Sequence, residues 1–480
     1  MDESSHNLPV GVPPLGGINT AATGPAGCHA SGHNLGGGGG RKHASRTLTR
    51  PIASSPLSSF RHWSLGFVSS FIICHSSFAL SALVLSLDQT PATSAPAPPP
   101  PPPQYPTGDW WGFRNTLANH GLTIGGLVQF DVTKNLRGGA DTDKTPTRYL
   151  LDLNATYDAS TFLPDATFFF DFQSHDGPDG SKTVGDIQGF DNLDGPHFVQ
   201  IYQLWYQQLL FDKQLRIKAG KIDINNTDFS IIEHGTEFLQ SSATYAVTNY
   251  PFVTYPDPAP GAEFFFTAPN NLYAGFGAFY SNSQQNVLDF VGHPQSVELT
   301  SGGSYLITEV GNRWTLHANN SDLPGHAAIG AWYHTGESPK LTDPSTEIRG
   351  TPGAYLFADQ TLYTQNAAQN HPKQDLGAFI SFGLANPRTI PIQQNLAAGI
   401  SATGFIHSRP NDIVGLLTTW AHLSPTTSPT PHHDETAFEL FYKLQLTTWA
   451  SLKPDLQYII SPSGKYPDAL AFTLRAEIDF

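Results

Sequence analysis

From residue 122 to the end of the chain, apolar and polar side chains alternate with a period of two. That period belongs to a β-strand, whose successive side chains point to opposite faces. In the last segment Leu470, Phe472, Leu474, Ala476, Ile478 and Phe480 share one face. Ala471, Thr473, Arg475, Glu477 and Asp479 share the other. The first segment sets Leu122, Ile124, Gly126, Val128, Phe130 and Val132 against Thr123, Gly125, Leu127, Gln129, Asp131 and Thr133. Between 122–134 and 469–480 the pattern places further strands near 147–158, 166–174, 198–209, 214–222, 261–268, 271–281 and 303–317. Others fall near 326–335, 354–364, 375–385, 396–405, 412–422, 436–448 and 451–461, sixteen in all.

Composition agrees. Charged residues are 14% of the chain, against ~25% in soluble domains. Aromatics reach 12%, with 44 Gly, 39 Pro and a single Met. Helical bundles draw on other residues, whereas this mixture suits aromatic-rich strands joined by turns. A formal net charge of −15 argues against a nucleic-acid partner. The two cysteines, Cys28 and Cys74, precede the strands, so no disulfide framework or cysteine metal site is expected among them.

Alternating strands fit a soluble sandwich or propeller with its apolar face inside, or a membrane barrel with its apolar face outside. Three features favour the barrel. Segments of ten or more residues suit tilted strands crossing ~25–30 Å, while soluble strands average ~5–6 residues. Aromatics near segment ends, Tyr149 and Tyr157, Tyr273 and Tyr280, suit interfacial girdles. Connection lengths alternate: Ser174–His197, Asp223–Pro260, Asn282–Gly302 and Gly336–Gly353 are long. Leu210–Lys213, Pro269–Asn270 and Thr448–Trp449 are short. Outer-membrane barrels keep short turns on the periplasmic side, and an even strand number puts both termini there. The expected fold is an all-β transmembrane barrel of sixteen antiparallel strands in the outer membrane of a Gram-negative bacterium, with a short N-terminal helix.

The first part of the chain has a different organisation. Residues 1–62, with glycines 36–40 unbroken, are expected to be a disordered low-complexity extension. Residues 63–87 are apolar and serine-rich behind Arg41, Lys42, Arg46, Arg50 and Arg61, which is the order of a secretory signal. Cleavage is expected after Ser81; the competing reading is an anchoring helix, which the serines and His75 disfavour. So late a signal leads us to expect a true start downstream of Met1. Residues 88–106 form a proline-rich spacer. In Thr107–Gly121, Phe113 and Leu117 lie at helical spacing and Gly121 suits a C-terminal cap. Its two readings are a plug or brace at the periplasmic mouth and a helix resting on the rim.

The motif TGDWWGFRNTLANHG at 107–121 resembles the opening of the carbohydrate-selective porins, the OprB family. Similar stretches are IYQLWYQQ at 201–208, LRIKAGKID at 215–223, FSIIEHGTEFLQSS at 229–242 and GAWYHTG at 330–336. ELFYKLQLTTWASLKPDLQYIISPSG at 439–464 and the close ALAFTLRAEIDF at 469–480 complete the resemblance, which covers 107–480. Trp111 stands where glycine is usual, and Ser461–Pro462–Ser463–Gly464 is less glycine-rich than the family's version. The resemblance implies passive diffusion of mono- and oligosaccharides, glucose above all, into the periplasm. It also implies contact with outer-membrane lipid and lipopolysaccharide, recognition of Phe480 by the barrel-assembly machinery, and a monomer or homotrimer.

A sugar is uncharged and hydroxylated. Its pore needs hydrogen-bonding groups for the hydroxyls and aromatic faces for the C–H faces, with binding weak enough to release it. Alternation places inward Asp131, Asp152, Asp171, Gln203, Trp205, Gln207, Arg216, Lys218, Glu439, Lys443, Lys453, Asp455, Gln457, Arg475, Glu477 and Asp479. Each is either part of a sugar-binding eyelet or a rung of a charge ladder bracing the wall. Arg216 and Lys218 stand out because cations are scarce, 25 Lys+Arg against 40 Asp+Glu. The hairpin should bring them beside Trp205. Glu439 and Lys443 share a face and are expected to neutralise each other.

Asp223–Pro260 is too long for a plain loop and carries Phe229, Phe238, Tyr245 and Tyr250. Folded inward it would be a constriction; otherwise it packs among outer loops. Asp176, Asp179, Asp186, Asp191 and Asp194 read as a solvated, flexible loop or a loose cation site. His432–Asp434 and Glu435 read as a solvated loop rather than a metal site. No HExxH, GxSxG, Walker A or GxGxxG occurs, so neither an enzyme nor a cofactor is expected. A barrel enzyme, a non-conducting structural barrel or adhesin, a general small-solute porin and a soluble lectin-like protein remain as alternatives.

Overall fold

The computed structural model describes residues 105–480, apart from 250–251, 281–288, 292–302, 319–320, 366–373 and 407. The extension, the signal-like segment and nearly all of the spacer lie outside the described residues. The chain first makes a helical turn and then helix α1 (Phe113–Asn119). The first eight strands are β1 (Leu122–Arg137), β2 (Thr147–Asp158), β3 (Ala166–Asp176), β4 (Phe198–Leu210), β5 (Leu215–Ile222), β6 (Ala259–Thr267), β7 (Leu272–Tyr280) and a short β8 (Asp289–Val291). Then come β9 (Ser304–Ala318), β10 (Ser321–Lys340), β11 (Asp343–Gln365), β12 (Gln374–Ala385), β13 (Ile392–Thr403), β14 (Ile413–Leu423), β15 (Asp434–Gln445), β16 (Ala450–Ile460) and β17 (Ala469–Asp479).

Each of the sixteen segments expected from the alternation is a strand. Each pairs antiparallel with its neighbours, and β1 pairs with both β2 and β17, which closes the barrel. The extra strand, β8, sits in a connection and pairs with β4 near Val199 and Gln200. At the seam the register runs from Leu127 opposite Asp479 to Asn135 opposite Ala471. The Phe480 N–H donates to the Gly126 carbonyl at 2.9 Å. A Cβ at Gly126 would lie 2.7 Å from the Phe480 ring, so the missing side chain is what lets the terminal aromatic lie over β1.

The two faces divide as the period requires. Phe130, Phe170, Leu204, Phe276, Ile329, Leu356, Ile380, Leu416, Leu440, Leu474 and Ile478 are exposed around the outside. Inward positions such as Gln129, Asp131, Thr133, Arg475 and Gln457 are buried. An apolar exterior over a polar interior is the membrane arrangement, reversed from a soluble sandwich. Among the described residues no helix is long and apolar enough to cross a bilayer; the strands do so.

Two expectations are corrected. Gly336–Gly353 is not a loop: β10 and β11, of 20 and 23 residues, continue through it as one hairpin that turns at 341–342. Alternation there weakens because a strand leaving the bilayer has no lipid face to keep apolar. Tyr273 is not a girdle residue. It lies an odd number of positions from the outward Tyr280, so it faces inward, where its hydroxyl donates to Glu309 at 2.6 Å. Helix α1 contacts β1, and the chain turns into that strand at Gly121, whose φ is +86°. A Cβ there would meet the Asp158 carbonyl at 2.5 Å.

Leu474 lies midway along β17 on the outward face, opposite Val132 and Pro454. Leu474→Arg is expected to cost ~2–4 kcal/mol, the range for an arginine at the bilayer midplane. Reversible denaturant unfolding in lipid bilayers measures it, and an unchanged midpoint would refute the face assignment.

Candidate pore constriction

The chain between β5 and β6 folds into the lumen and is held by side chains from strands around the wall. Asp228 pairs with Arg216 and Lys218 of β5, each at 2.5 Å. The Ser230 N–H donates to Glu309 of β9 at 2.8 Å. Glu233 pairs with Arg313 of β9 at 2.9 Å. His234 donates its backbone N–H to Asp359 of β11 at 2.8 Å, and its ring pairs with the same carboxylate. Glu237 meets Lys443 of β15 at 3.0 Å and Lys453 of β16 at 2.8 Å. The N–H groups of Leu239 and Gln240 donate to Glu439 at 2.7 and 3.0 Å. The Trp332 indole of β10 donates to Asn249 at 3.2 Å.

The middle of the segment is apolar. Ile224, Phe229, Ile232 and Phe238 are buried with Phe265, Phe357, Phe379, Leu417 and Phe441 of the wall. Phe238 meets Phe441 edge-on at 4.9 Å between ring centres, and Phe229 lies 4.7 Å from Phe265. Irregular backbone at membrane depth is tolerated where protein buries it or water fills the cavity. Here wall carboxylates accept the N–H groups that irregular backbone leaves over.

The connection between β3 and β4 also enters, which corrects its reading as a solvated loop. Asp191 pairs with Arg148 of β2 and with Arg475 of β17, the latter at 2.9 Å. Asp194 lies 2.8 Å from Arg148. Glu435 of β15, expected in a solvated loop, is buried and accepts the N–H groups of Ile187 and Gln188 at 3.0 and 3.2 Å. The two inserted connections bond to each other: Asn192 N–H to the Leu239 carbonyl at 2.7 Å, Ser241 N–H to the Gly189 carbonyl at 3.0 Å.

The sequence-derived inward residues fall into groups. Arg475 forks onto Asp131 at 2.9 and 2.8 Å and holds Asp191. Asp152 accepts from Gln173, and Asp171 from Gln203. Asp455 accepts from Gln457 at 3.2 Å. Glu477 meets Lys443 at 2.9 Å and accepts from Gln129 and Ser451. Glu439 and Lys443 do not neutralise each other, since each reaches a different part of the inserted segment. Lys218 lies 4.6 Å above the Trp205 ring, and Gln207 is opposite Lys218 in the β4–β5 register. Trp205 stacks on Phe169 at 4.9 Å. Trp205, Gln207, Arg216 and Lys443 keep partial exposure, whereas most of the others are covered. Asp479 is exposed at the short-turn end.

Sequence reasoning missed Arg148, Glu309, Asp359 and the aromatic part of the wall. The available signal was segments apolar on both faces, such as Leu272–Tyr280, which in a barrel means an interior that is filled.

Electrostatics favours the inserted position. Burial works to raise the Asp228 carboxyl, but Arg216 and Lys218 overcome it and hold the group below its ordinary value. Burial likewise opposes the His234 imidazolium, but Asp359 and Asp375 push it up to about 10. Burial raises Asp223 and Asp194 to about 6 each, against their hydrogen-bond donors and, for Asp194, against Arg148. Among the described residues no group of three His, Cys, Asp or Glu side chains is placed to hold a metal ion.

A closed sixteen-stranded barrel with an apolar exterior and a lumen narrowed by an inserted connection is an outer-membrane porin. Residues 171–480 match the family described as "Carbohydrate-selective porin, OprB family", and the chain belongs to it. Similar proteins include Porin B of Pseudomonas aeruginosa, 24% identical over 81% of this chain and 92% of that protein. Another is the putative porin QuiX of Acinetobacter baylyi, 23% identical over 78% and 93%. The high-pH structure of Pseudomonas putida OprB shares the fold, with a TM-score of 0.67 at 20% identity over 78% of this chain and 98% of that one.

His234 sets a pH window. Its folded-state value lies above the ordinary 6.5, so its contribution is complete below that and is lost as pH rises through about 10. Glu233, Arg313, Asp359 and Asp375 are the charged groups around it. Single-channel conductance is expected to stay level between pH 7 and 9 and to rise as pH passes about 10. His234→Asn should show the raised conductance already at pH 7. Matching profiles for the two proteins would mean that the imidazolium does not pin the segment.

Proposed function

We propose that this barrel is a passive diffusion channel carrying sugars, glucose among them, from the outside to the periplasm. The observation that carries the reading is a segment fixed across the lumen whose ion pairs with the wall leave charged hydrogen-bonding groups partly exposed. Arg216, Glu237 and Lys443 supply donors and acceptors there, and the Phe169–Trp205 pair supplies an aromatic face. A neutral sugar gains nothing from net charge. It does gain from hydrogen bonds to charged groups, each worth ~1.5–3 kcal/mol against ~1 for a neutral pair. Two or three such bonds make a site that binds and still releases. The family and the names of its relatives support carbohydrate as the substrate class.

The remaining partners follow from position. Outward aliphatic and aromatic side chains meet lipid, and the long β10–β11 hairpin reaches the lipopolysaccharide layer. Phe480 at the seam is what the assembly machinery reads. Each barrel has its own lumen, so the channel works the same way in a monomer or a trimer.

Reconstituted into liposomes, the protein is expected to equilibrate labelled glucose without ATP or a proton gradient, and faster than ions of similar size. Strict dependence on an energy source would make it an active transporter. Equal rates for glucose and ions would make it a general small-solute porin, and no flux a structural barrel.

A further inference from the structure

Below the inserted segment, on the short-turn side, the lumen wall has a recess of about 140 Å³. Its depth along the barrel follows from β9. Glu309 of that strand holds Ser230, and Arg313 and Thr315 come next toward the short-turn end. Both lie on the inward parity of the strand and line the recess. Glu233 of the inserted segment, Asn271, Pro324, His326 and Asp359 line it too. A solute leaving the constriction toward the periplasm meets this recess next.

The Arg313–Glu233 pair differs from the other ties of the segment. Its side chains are 48% and 43% exposed, while Arg216 and Asp228 are 21% and 0% exposed. The hydrogen bond between them uses Nη1 of the arginine and Oε1 of the glutamate. That leaves Nε and Nη2, a fork of two donors, and Oε2, an acceptor, on two residues that both line the recess. Adjacent ring hydroxyls need that combination: each hydroxyl oxygen accepts one N–H, and one hydroxyl hydrogen is given to the carboxylate. The Thr315 hydroxyl and Asn271 amide add neutral partners, and the Pro324 ring offers an apolar surface to the C–H edge of a sugar.

We infer that this recess is a second sugar subsite, taking one pyranose ring with adjacent hydroxyls on the periplasmic side of the constriction. Its volume lies well below the ~300 Å³ at which drug-sized pockets begin, so it holds a single ring and not an oligosaccharide. Such a site would take a sugar as the constriction releases it, which shortens the step between sites. This inference rests on the proposed sugar channel.

The test is block of ion current by glucose in planar bilayers, with sugar added to one side at a time, for wild type, Arg313→Ala and Thr315→Val. Absence of block and of glucose flux in wild type would overturn the sugar channel itself. If wild type is blocked, the subsite predicts that Arg313→Ala weakens block about tenfold when glucose is added at the periplasmic side, and much less from the other. Thr315→Val, which leaves the Arg313–Glu233 pair in place, should weaken the same block about threefold with conductance in sugar-free salt unchanged. Block equal to wild type from both sides in both variants would overturn the subsite. So would a loss in Arg313→Ala that is equal from both sides and accompanied by raised sugar-free conductance, because it would reduce Arg313 to an anchor of the segment.

Discussion

In hydrocarbon an unpaired backbone N–H or C=O costs several kcal/mol, so a sheet that crosses a bilayer cannot keep an edge. Everything else in this barrel follows from β1 meeting β17. The seam needs a register, which the chain sets with Gly126 and Phe480, a missing side chain on one strand and a ring on the other. Closure then fixes inside and outside for every strand, because a slip of one residue would exchange the faces. Asp131 and Arg475 lie directly opposite each other across that seam, so their ion pair forms only in the register that also places Phe480 over Gly126.

Closure creates a second constraint. The interior of so wide a barrel is not filled by its own wall, and this chain fills part of it with two connections. Irregular backbone has N–H groups that no strand accepts. The wall meets them with one recurring device, an inward carboxylate receiving main-chain donors. Glu435 does so for Ile187 and Gln188, Glu439 for Leu239 and Gln240, Glu309 for Ser230 and Asp359 for His234. Buried carboxylates lose hydration and are kept only where such partners replace it. The scarce cations, Arg148, Arg216, Lys218, Lys443, Lys453 and Arg475, are spent on carboxylates of the same inserted chain.

The sixteen strands were legible because lipid on one face and lumen on the other impose the period on every crossing. The same reasoning lost its grip wherever one of the two environments was absent. Beyond the bilayer, β10 and β11 run on without an apolar face, and 336–353 read as a loop. Inside, part of the wall between β6 and β15 meets packed protein instead of water, so Phe265, Phe357, Phe379 and Phe441 are apolar where a polar side chain was expected. Period two also gives a face but no neighbour. It placed Glu439 and Lys443 inward on one strand, yet their partners, Leu239, Gln240 and Glu237, lie about two hundred residues away in sequence. Long connections rich in phenylalanine, together with strands apolar on both faces, were the readable signs that something would enter the lumen.

The two departures from the family's glycine-rich motifs have one physical form. Trp111 sits at φ +57°, beside Trp110 at +50°, and Ser461 and Ser463 at +50° and +51°. Left-handed backbone costs an L-residue roughly 1–2 kcal/mol, which explains why glycine is usual at such points. Here neighbouring contacts offset the cost. Ser463 gives its N–H to Glu435 at 2.5 Å and its hydroxyl to the Gly185 carbonyl at 2.6 Å, so the strained turn also fixes an inserted connection. At the other end Arg114 lies between the rings of Tyr105 and Trp110, at 3.9 and 4.4 Å, and holds the tight turn that precedes α1. At Ser463 a glycine would relax the turn but lose the hydroxyl that ties it down, whereas the Trp111 side chain is fully exposed and its turn is held by its neighbours. The residues that break the pattern are therefore conformationally costly and, at Ser463, also part of what keeps the lumen filled.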